Sequence, residues 1–242
     1  MSETVSSFES IKKKLTKLKK SKSPSSTVSS RVMSRSNSNS LADLVIVPPL
    51  APLIFEGYIP TTKNRLITEE IGEDIRNIIP ARLQINHEWK LLYSLEQHGA
   101  SLSTLYRLSR ESKAKKVYDK NGYVLVVKDG TDNIFGSYTN EIFTPHELKR
   151  HYGNGECFLW KSKKLSKGDI QFKAFPYTGL NEYLIYCQYD SLSLGSSEGH
   201  NGLWLDNNLM KGVTEPCLTF GNEPLSEEGE KFNILGVELW MI

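Results

Sequence analysis

Cysteine is scarce in this sequence, which holds three such residues, Cys157, Cys187 and Cys217, among 242. No two of them form a C-x-x-C pair, so nothing supports a zinc knuckle or a thioredoxin-like redox motif. Three widely spaced thiols are also too few for the disulfide scaffold of a small secreted domain. The cysteine content therefore favours a reducing compartment.

Long hydrophobic runs are missing as well. No apolar run approaches the roughly 20 residues that are needed to cross a bilayer. The first residues also lack the apolar core of a secretory signal peptide. Hydrophobic residues make up 38% of the chain, which is somewhat low for a globular protein. These features predict a soluble intracellular protein.

The charge is unevenly distributed. Residues 1–40 carry nine basic and two acidic side chains, a net charge of +7, whereas the remaining 202 residues carry 21 basic and 26 acidic ones, a net charge of −5. A basic tail therefore precedes a mildly acidic body. Because the lysines are concentrated in the tail, we expect at most non-specific contact with phosphates and no sequence-specific nucleic-acid binding.

Residues 1–50 are predicted to form a disordered tail rich in serine and lysine. Residues 21–40 are dominated by serine and cannot bury enough apolar surface to offset their ordering entropy. In residues 8–20, FESIKKKLTKLKK, helical spacing would place four apolar side chains within an arc of about 80°, with lysines around the rest. Such a helix can contact an anionic membrane surface weakly through Lys12–Lys22, act as a mitochondrial transit sequence, or remain a solvated tail. Lysine in place of the usual arginine weakens the transit interpretation.

The folded domain is predicted to span residues 51–242 and to begin with helices. Thr68 can cap the first helix, whose opening turn is acidic and so complements the helix dipole, and Pro80 ends it. Three segments of this part have an apolar face and are predicted to be helices: residues 68–79, residues 87–98, and a stretch from Ser101 or Ser103 to about Ser112.

Downstream, apolar and polar residues alternate with the period of strands. GYVLVVKD and NIFGSYTN flank Asp129-Gly130-Thr131, a sequence typical of a hairpin. Other short alternating segments are separated by Gly, Pro, Asn and Asp: ECFLWKSKK, IQFKAF, NEYLIYCQY, GLWLD, LMKGV and FNILGVELWMI. Helices followed by strands predict an α+β fold, an antiparallel two-sheet β-sandwich flanked by helices.

The stretch GSSEGHNGLWLD, residues 195–206, is the first candidate for chemistry. His200 could act as a general base that Glu198 orients. However, residues two apart in a loop need not converge, and no nucleophile is fixed beside them. GLWLD and LMKGV are joined at Asn207 and Asn208, which tolerate positive φ. We therefore interpret the glycines as a turn between strands, with the acid/base pair as the alternative.

Two further motifs fail on spacing or context. His146 and His151 in PHELKRH are five apart, which separates them by about 140° on a helix, whereas a zinc site needs i, i+4 spacing. YGNGECFLW contains glycines but precedes a strand and lacks the Lys-Ser/Thr ending of a phosphate-binding loop. We expect neither a metal nor a cofactor.

The thiols are poor candidates for peroxide chemistry. A reactive thiolate needs cationic neighbours or a helix N-terminus, but Cys157 follows Glu156 and Cys217 follows Glu215 and Pro216. Acidic neighbours should raise the pKa of both thiols. Cys187 lies among apolar and aromatic residues and is predicted to be part of the core.

Taken in order, several motifs of the body resemble the TLDc domain, and more closely the short fungal oxidation resistance proteins. The motifs are GYIPTTKNRLIT, WKLLYSLEQHGASLSTLY, GYVLVVKD, IFGSYTNE, GNGECFLW, FPYTGLNEY, GHNGLWLD and GVTEPCLTFGNEPLS. The resemblance covers residues 55–242, and the serine- and lysine-rich tail has no part in it. The positions that match recurrent family motifs are Gly136, Gly155, Glu156, Cys157, Gly179, Asn181, Glu182, Gly199, His200, Gly202, Asn222 and Glu223.

The resemblance implies a β-sandwich flanked by helices, protection from oxidative damage, a mitochondrial location for fungal members and association with the vacuolar proton-pumping ATPase. It supplies no catalytic residue. For most motif positions we expect structural roles, with glycines at positive φ and Asn and Glu tying turns to backbone amides. Five remain candidates for function: Glu156, Cys157, Glu182, His200 and Glu223.

The resulting expectation is a monomeric, non-catalytic interaction module that regulates the proton pump through its peripheral sector. The alternative is a direct antioxidant or an unrecognised enzyme that uses Cys157 or the Glu198/His200 loop. The resemblance and the basic N-terminus favour a mitochondrial location, with the cytosol or the vacuolar membrane surface as the alternative.

Overall fold

The computed structural model describes residues 49–114, 121–146, 149–164 and 170–242. The predicted disorder of the tail and its helix at residues 8–20 therefore lie outside the described residues. Within those residues the chain forms four helices: α1 (Glu69–Arg76), α2 (Ala81–Gln84), α3 (Leu95–His98) and α4 (Leu102–Ala114). The same residues form eleven strands: β1 (Ile54–Glu56), β2 (Glu88–Ser94), β3 (Tyr123–Asp129), β4 (Ile134–Thr139), β5 (Phe158–Lys164), β6 (Ile170–Pro176), β7 (Ile185–Cys187), β8 (Ser191–Ser197), β9 (His200–Asp206), β10 (Lys211–Val213) and β11 (Lys231–Met241).

The strands form two sheets that share β11. In the first sheet the order is β6-β5-β4-β3-β11-β2-β1, and in the second it is β7-β8-β9-β10-β11. Residues 231–233 of β11 pair with β10, and its remainder pairs with β3 and β2. All pairs are antiparallel except β1 with β2. A register shift beside Leu235 separates the two parts of β11, as expected where a strand bends from one sheet into another.

The two faces of the first sheet are buried in separate cores. In β3, Leu125 and Val127 belong to the core shared with the second sheet, whereas Val124 and Val126 belong to the core on the opposite face. The second of these cores also contains Ile71 and Ile75 of α1. Burial on both faces explains why β3 is a continuous apolar run. The arrangement confirms the predicted α+β fold of two antiparallel sheets flanked by helices.

The first helix begins as predicted and ends earlier. The Thr68 hydroxyl accepts a hydrogen bond from the Ile71 amide at 3.3 Å, which caps the N-terminus of α1. The helix ends at Arg76 rather than Ile79. The buried Arg76 guanidinium donates to the carbonyls of Gln84 at 2.6 Å and Ala51 at 2.7 Å, and so joins α1 to the chain on either side.

The predicted helical character of residues 87–98 is wrong for most of that segment. Residues 88–94 form β2, and only Leu95–His98 form the short helix α3. Trp89 and Tyr93 are fully buried, and β2 pairs with the end of β11. Aromatic residues favour strands, but a spacing of four also fits one face of a helix. The partner strand lies too far along the chain for a local pattern to distinguish the two. The third helix is confirmed as α4.

Candidate functional site

GSSEGHNGLWLD folds as a β-hairpin. Ser197 of β8 pairs with His200 of β9, so only Glu198 and Gly199 form the connection. Their φ angles are +51° and +85°, and two positive φ values in a two-residue loop define a type I′ turn. The turn interpretation is confirmed, although β8 had not been predicted and the turn is shorter than expected.

The pairing of Glu198 with His200, which the alternative interpretation requires, does not form. Among the described residues, no hydrogen bond or ion pair joins their side chains. Instead His200 Nδ1 lies 3.3 Å from Oε1 of Glu215, and the His200 side chain is 55% exposed. The other oxygen of Glu215 accepts from the Asn201 amide at 3.3 Å. Sequence reasoning missed Glu215 because the contact depends on the segment after β10 folding back over β9.

That segment, residues 214–226, is held by Asn222 and Thr214. The Asn222 amide group donates to the carbonyl of Glu215 at 2.9 Å, and its oxygen accepts from Cys217 Sγ at 3.1 Å. The Thr214 hydroxyl donates to the Gly202 carbonyl at 2.7 Å, which ties the segment to β9. Asn222 therefore fixes a turn through its side chain, as predicted for this family-motif position.

Asn181 has a similar role beside β8. Its amide group donates to the Ser196 carbonyl at 3.1 Å, while its oxygen accepts from the Tyr183 amide at 3.1 Å and from the Thr219 hydroxyl at 2.9 Å. The Thr219 hydroxyl oxygen also accepts from the Ser196 amide at 3.0 Å. Asn181 and Thr219 thus fasten two loops to the same strand edge.

Two of the glutamates at motif positions, Glu156 and Glu223, form ion pairs with basic side chains. Glu223 bridges Lys161 at 2.9 Å and Lys173 at 2.7 Å, and the hydrogen bond from Lys173, followed by that from Lys161, lowers the pKa of Glu223. Glu156 receives two hydrogen bonds of 2.6 Å from Arg82, a bidentate pair between α2 and the turn before β5. Glu182 lies on an exposed loop.

Glycine is required at the motif positions either by a positive φ angle or by close packing. Gly179 and Gly199 have positive φ, as predicted. Gly202 does not, and that prediction is wrong for it. A Cβ at position 202 would lie 2.7 Å from Leu159 Cδ1 and 2.9 Å from the Leu194 carbonyl oxygen. Close packing within the core therefore requires glycine there.

All three thiols are buried. Burial disfavours the thiolate and raises the pKa of Cys157 and Cys217, and it raises that of Cys187 to about 11. The acidic neighbour Glu156 also raises the pKa of Cys157, as predicted, but by less than burial does. The Cys187 thiol contacts the Tyr152 hydroxyl at 3.0 Å. Protonated, enclosed thiols are weak nucleophiles.

The two histidines of PHELKRH lie against different aromatic rings. His146 packs edge-on against Tyr152 at 4.5 Å, and His151 lies 4.7 Å from Tyr186 and 4.8 Å from Tyr183 between ring centroids. Partial burial lowers the pKa of His151. Among the described residues, no group of three or more His, Cys, Asp and Glu side chains is placed to hold a metal ion. None of the helices described is long and apolar enough to span a membrane.

Comparison with known proteins gives a consistent result. The model of the TLDc domain matches residues 60–242. The chain is 48% identical over 211 residues to oxidation resistance protein 1 of Kluyveromyces lactis. The matched region covers 80% of this chain and 82% of the relative. It is 43% identical over 231 residues to the protein of that name in Saccharomyces cerevisiae, and the matched region covers 86% of this chain and 84% of the relative. For the Candida glabrata protein of that name the identity is 46% over 227 residues, with 80% and 82% covered.

Proposed function

Because the chain belongs to the TLDc-domain family of oxidation resistance proteins, we propose that it contributes to oxidative stress resistance as a non-catalytic interaction module. Its partner in this proposal is the peripheral sector of the vacuolar proton-pumping ATPase, whose assembly it regulates. That partner is suggested by the family resemblance of the motifs described above.

The burial of the thiols is the observation that carries the proposal. Cys157 is 1% exposed, Cys187 3% and Cys217 4%, and the pKa of each is raised. A thiol that consumes peroxide needs an accessible thiolate at neutral pH. An indirect role through a partner therefore agrees better with these environments than direct scavenging does.

The alternative, an enzyme or antioxidant that uses Cys157 or the Glu198/His200 loop, has less support. Glu198 occupies the first position of a two-residue turn, and among the described residues no hydrogen bond or ion pair joins its side chain to His200. Glu215 could orient it, but the ring is more than half exposed to water, which weakens the electrostatic effects on which general-base catalysis depends.

The proposed location is the mitochondrion, with the cytosol or the vacuolar membrane surface as the alternative. The basic residues Lys12–Lys22 would add a weak contact with an anionic membrane in either case. We further propose that the protein is a monomer. This agrees with the proposal that it binds the ATPase rather than a second copy of itself.

A capture experiment tests the proposed partner. The full chain, immobilised, is exposed to cell lysate and then to the purified peripheral sector, and bound subunits are identified by mass. We expect capture in both cases and a change in the assembled fraction of the pump when the chain is added. Failure to capture the purified sector, together with rapid peroxide consumption by the chain, would favour the alternative.

A further inference from the structure

The last strand of the first sheet, β6, has an edge with which no other described strand pairs, and we call this its free edge. All seven of its residues, Ile170–Pro176, pair with β5, and no described residue pairs with its other side. In an antiparallel ladder, alternate residues direct their N–H and C=O groups away from the partner strand. About half of the backbone groups of β6 are therefore open to a further strand.

This edge carries two residues of the kinds that protect sheet edges, a lysine and a proline, but neither blocks the middle of the strand. The pairing with β5 contains no register shift, and its proline, Pro176, stands at the very end. Lys173 is the charged side chain within the strand, and its ammonium group is held by Glu223 at 2.7 Å. The other described edge strands, β1 and β7, have three residues each. Long, regular and unguarded edges are templates for strand pairing.

One face of β6 continues an apolar row to the free edge. Ile170, Phe172 and Ala174 are half-buried and pack at the border of the core that contains α1. Phe172 stacks on Trp160 at 5.7 Å between ring centroids. A strand added beside β6 would lie about 4.8 Å farther out, so its side chains on this face would extend the same row.

An acidic cleft lies at the beginning of that row. It has a volume of about 1090 Å³ and lies between α1, the β3–β4 turn and the start of β6. Ile170 lines it together with four carboxylates: Glu70, Glu73, Asp74 and Asp132. Glu73 pairs with Arg76, and Asp132 pairs with Lys128. Asp74 is half-buried and has no ion-pair partner among the described residues.

We infer that the free edge of β6 binds an extended segment of a partner protein by strand addition. On the face toward α1, this segment carries a lysine or arginine opposite the acidic cleft and apolar residues two and four positions along. Backbone hydrogen bonds supply affinity, and the alternate side chains supply selectivity. The inference rests on the proposed role as a protein-binding module and locates one contact surface of that module.

A synthetic peptide tests the inference on the full chain. In Lys-Thr-Val-Thr-Val-Thr-Lys the lysines and valines share one face in either strand direction. We expect saturable binding, measured by calorimetry, and slower amide hydrogen exchange in residues 170–176. The same peptide with glutamates for lysines should bind more weakly, by about twofold to fivefold for each lost ion pair. The peptide N-methylated at its central five residues, which keeps the side chains, should not bind.

A charge-reversed protein provides the matched control. Asp74 is half-buried beside the cleft, and its side chain makes no hydrogen bond to another described residue, so we expect Asp74→Lys to fold. Because the new lysine balances Glu70, the remaining carboxylate of the cleft without an ion pair among the described residues, this variant should lose the preference for the lysine peptide over the glutamate peptide. Absence of peptide binding to the parent would overturn the inference, as would binding that neither N-methylation nor charge reversal changes. In the free chain, slow exchange of the β6 amides that point away from β5 would also overturn it, because the edge would then be occupied by the chain itself or by a second copy. The molecular mass distinguishes these two cases.

The peptide assay requires no ATPase, so it tests strand addition at β6 independently of the proposed binding to the proton pump. Capture of the peripheral sector without peptide binding would reject strand addition at β6 and leave the proposed function standing. Peptide binding without capture of the sector would support strand addition at β6 and reject the ATPase as the partner.

Discussion

The Tyr58 hydroxyl donates a hydrogen bond of 2.8 Å to Oε1 of Glu238. Glu238 is 1% exposed and also accepts from the Leu66 amide at 3.1 Å and from the Trp240 indole at 3.0 Å. One buried carboxylate thus fastens the segment between β1 and α1 to β11. Each of these donors would be costly to leave without an acceptor.

We expect Glu238→Gln to destabilise the fold by about 1–3 kcal/mol, because the glutamine amide nitrogen cannot accept from the Trp240 indole. The change keeps the volume of the side chain and one acceptor oxygen. Denaturant unfolding of parent and variant at pH 7 measures the difference. Equal stability would mean that the second carboxylate oxygen of Glu238 does not help to hold the segment between β1 and α1 against β11.

The pH dependence of that difference has a definite sign. Burial raises the pKa of Glu238 above its ordinary value, so the folded state favours the protonated carboxyl. Its contribution to stability is complete below the unfolded pKa and is lost as the pH rises through the folded pKa. We therefore expect the stability advantage of the parent over Glu238→Gln to be largest in acid and to shrink with rising pH. An advantage that grows with pH would contradict this assignment.

Deletion of residues 1–47 should leave the folded domain intact. Residues 1–40 are polar and strongly basic, and the first described strand, β1, begins at Ile54. We expect the thermal unfolding midpoints of the full and shortened chains to agree within a few degrees. A large decrease in the shortened chain would show that the N-terminal residues contribute to the stability of the domain.

Replacement of the three cysteines should not remove stress protection. Alanine at positions 157, 187 and 217 removes thiols that are buried and have a raised pKa. Some loss of stability is expected from the smaller side chains, so parent and variant are compared at equal concentrations of folded protein. Rapid stoichiometric consumption of peroxide by the parent that disappears in the variant would support the direct antioxidant instead.

The accuracy of the sequence predictions followed the range of the interactions involved. The hairpin at Asp129-Gly130-Thr131 and the cap at Thr68 depend on neighbouring residues, and both were predicted. β2 pairs with a strand about 150 residues later, and its apolar residues fit a helical face as well as a strand. The contact of Glu215 with His200 and the buried site of Glu238 likewise join distant segments. Local patterns do not determine such pairings.

The hairpin GSSEGHNGLWLD gives the last prediction. If it is a structural turn, His200→Gln and Glu198→Gln should fold normally, bind the ATPase sector and protect cells as the parent does. His200 loses only an exposed contact with Glu215, and exposed ion pairs contribute about 0–1 kcal/mol. Glutamine retains hydrogen-bonding capacity at both positions.

The glycines of the same hairpin should behave differently from these polar residues and from each other. Valine at position 199 meets no atom within 4 Å but must adopt φ of +85°, which costs about 1–3 kcal/mol. At position 202 it would collide with Leu159 and the Leu194 carbonyl, so Gly202→Val should lose at least as much through overpacking. In both glycine variants, loss of protection should follow loss of folded protein, measured by unfolding and by soluble yield. If His200→Gln and Glu198→Gln are fully folded and bind the ATPase sector, yet lose protection completely, then the hairpin carries chemistry and the turn interpretation of its role is wrong.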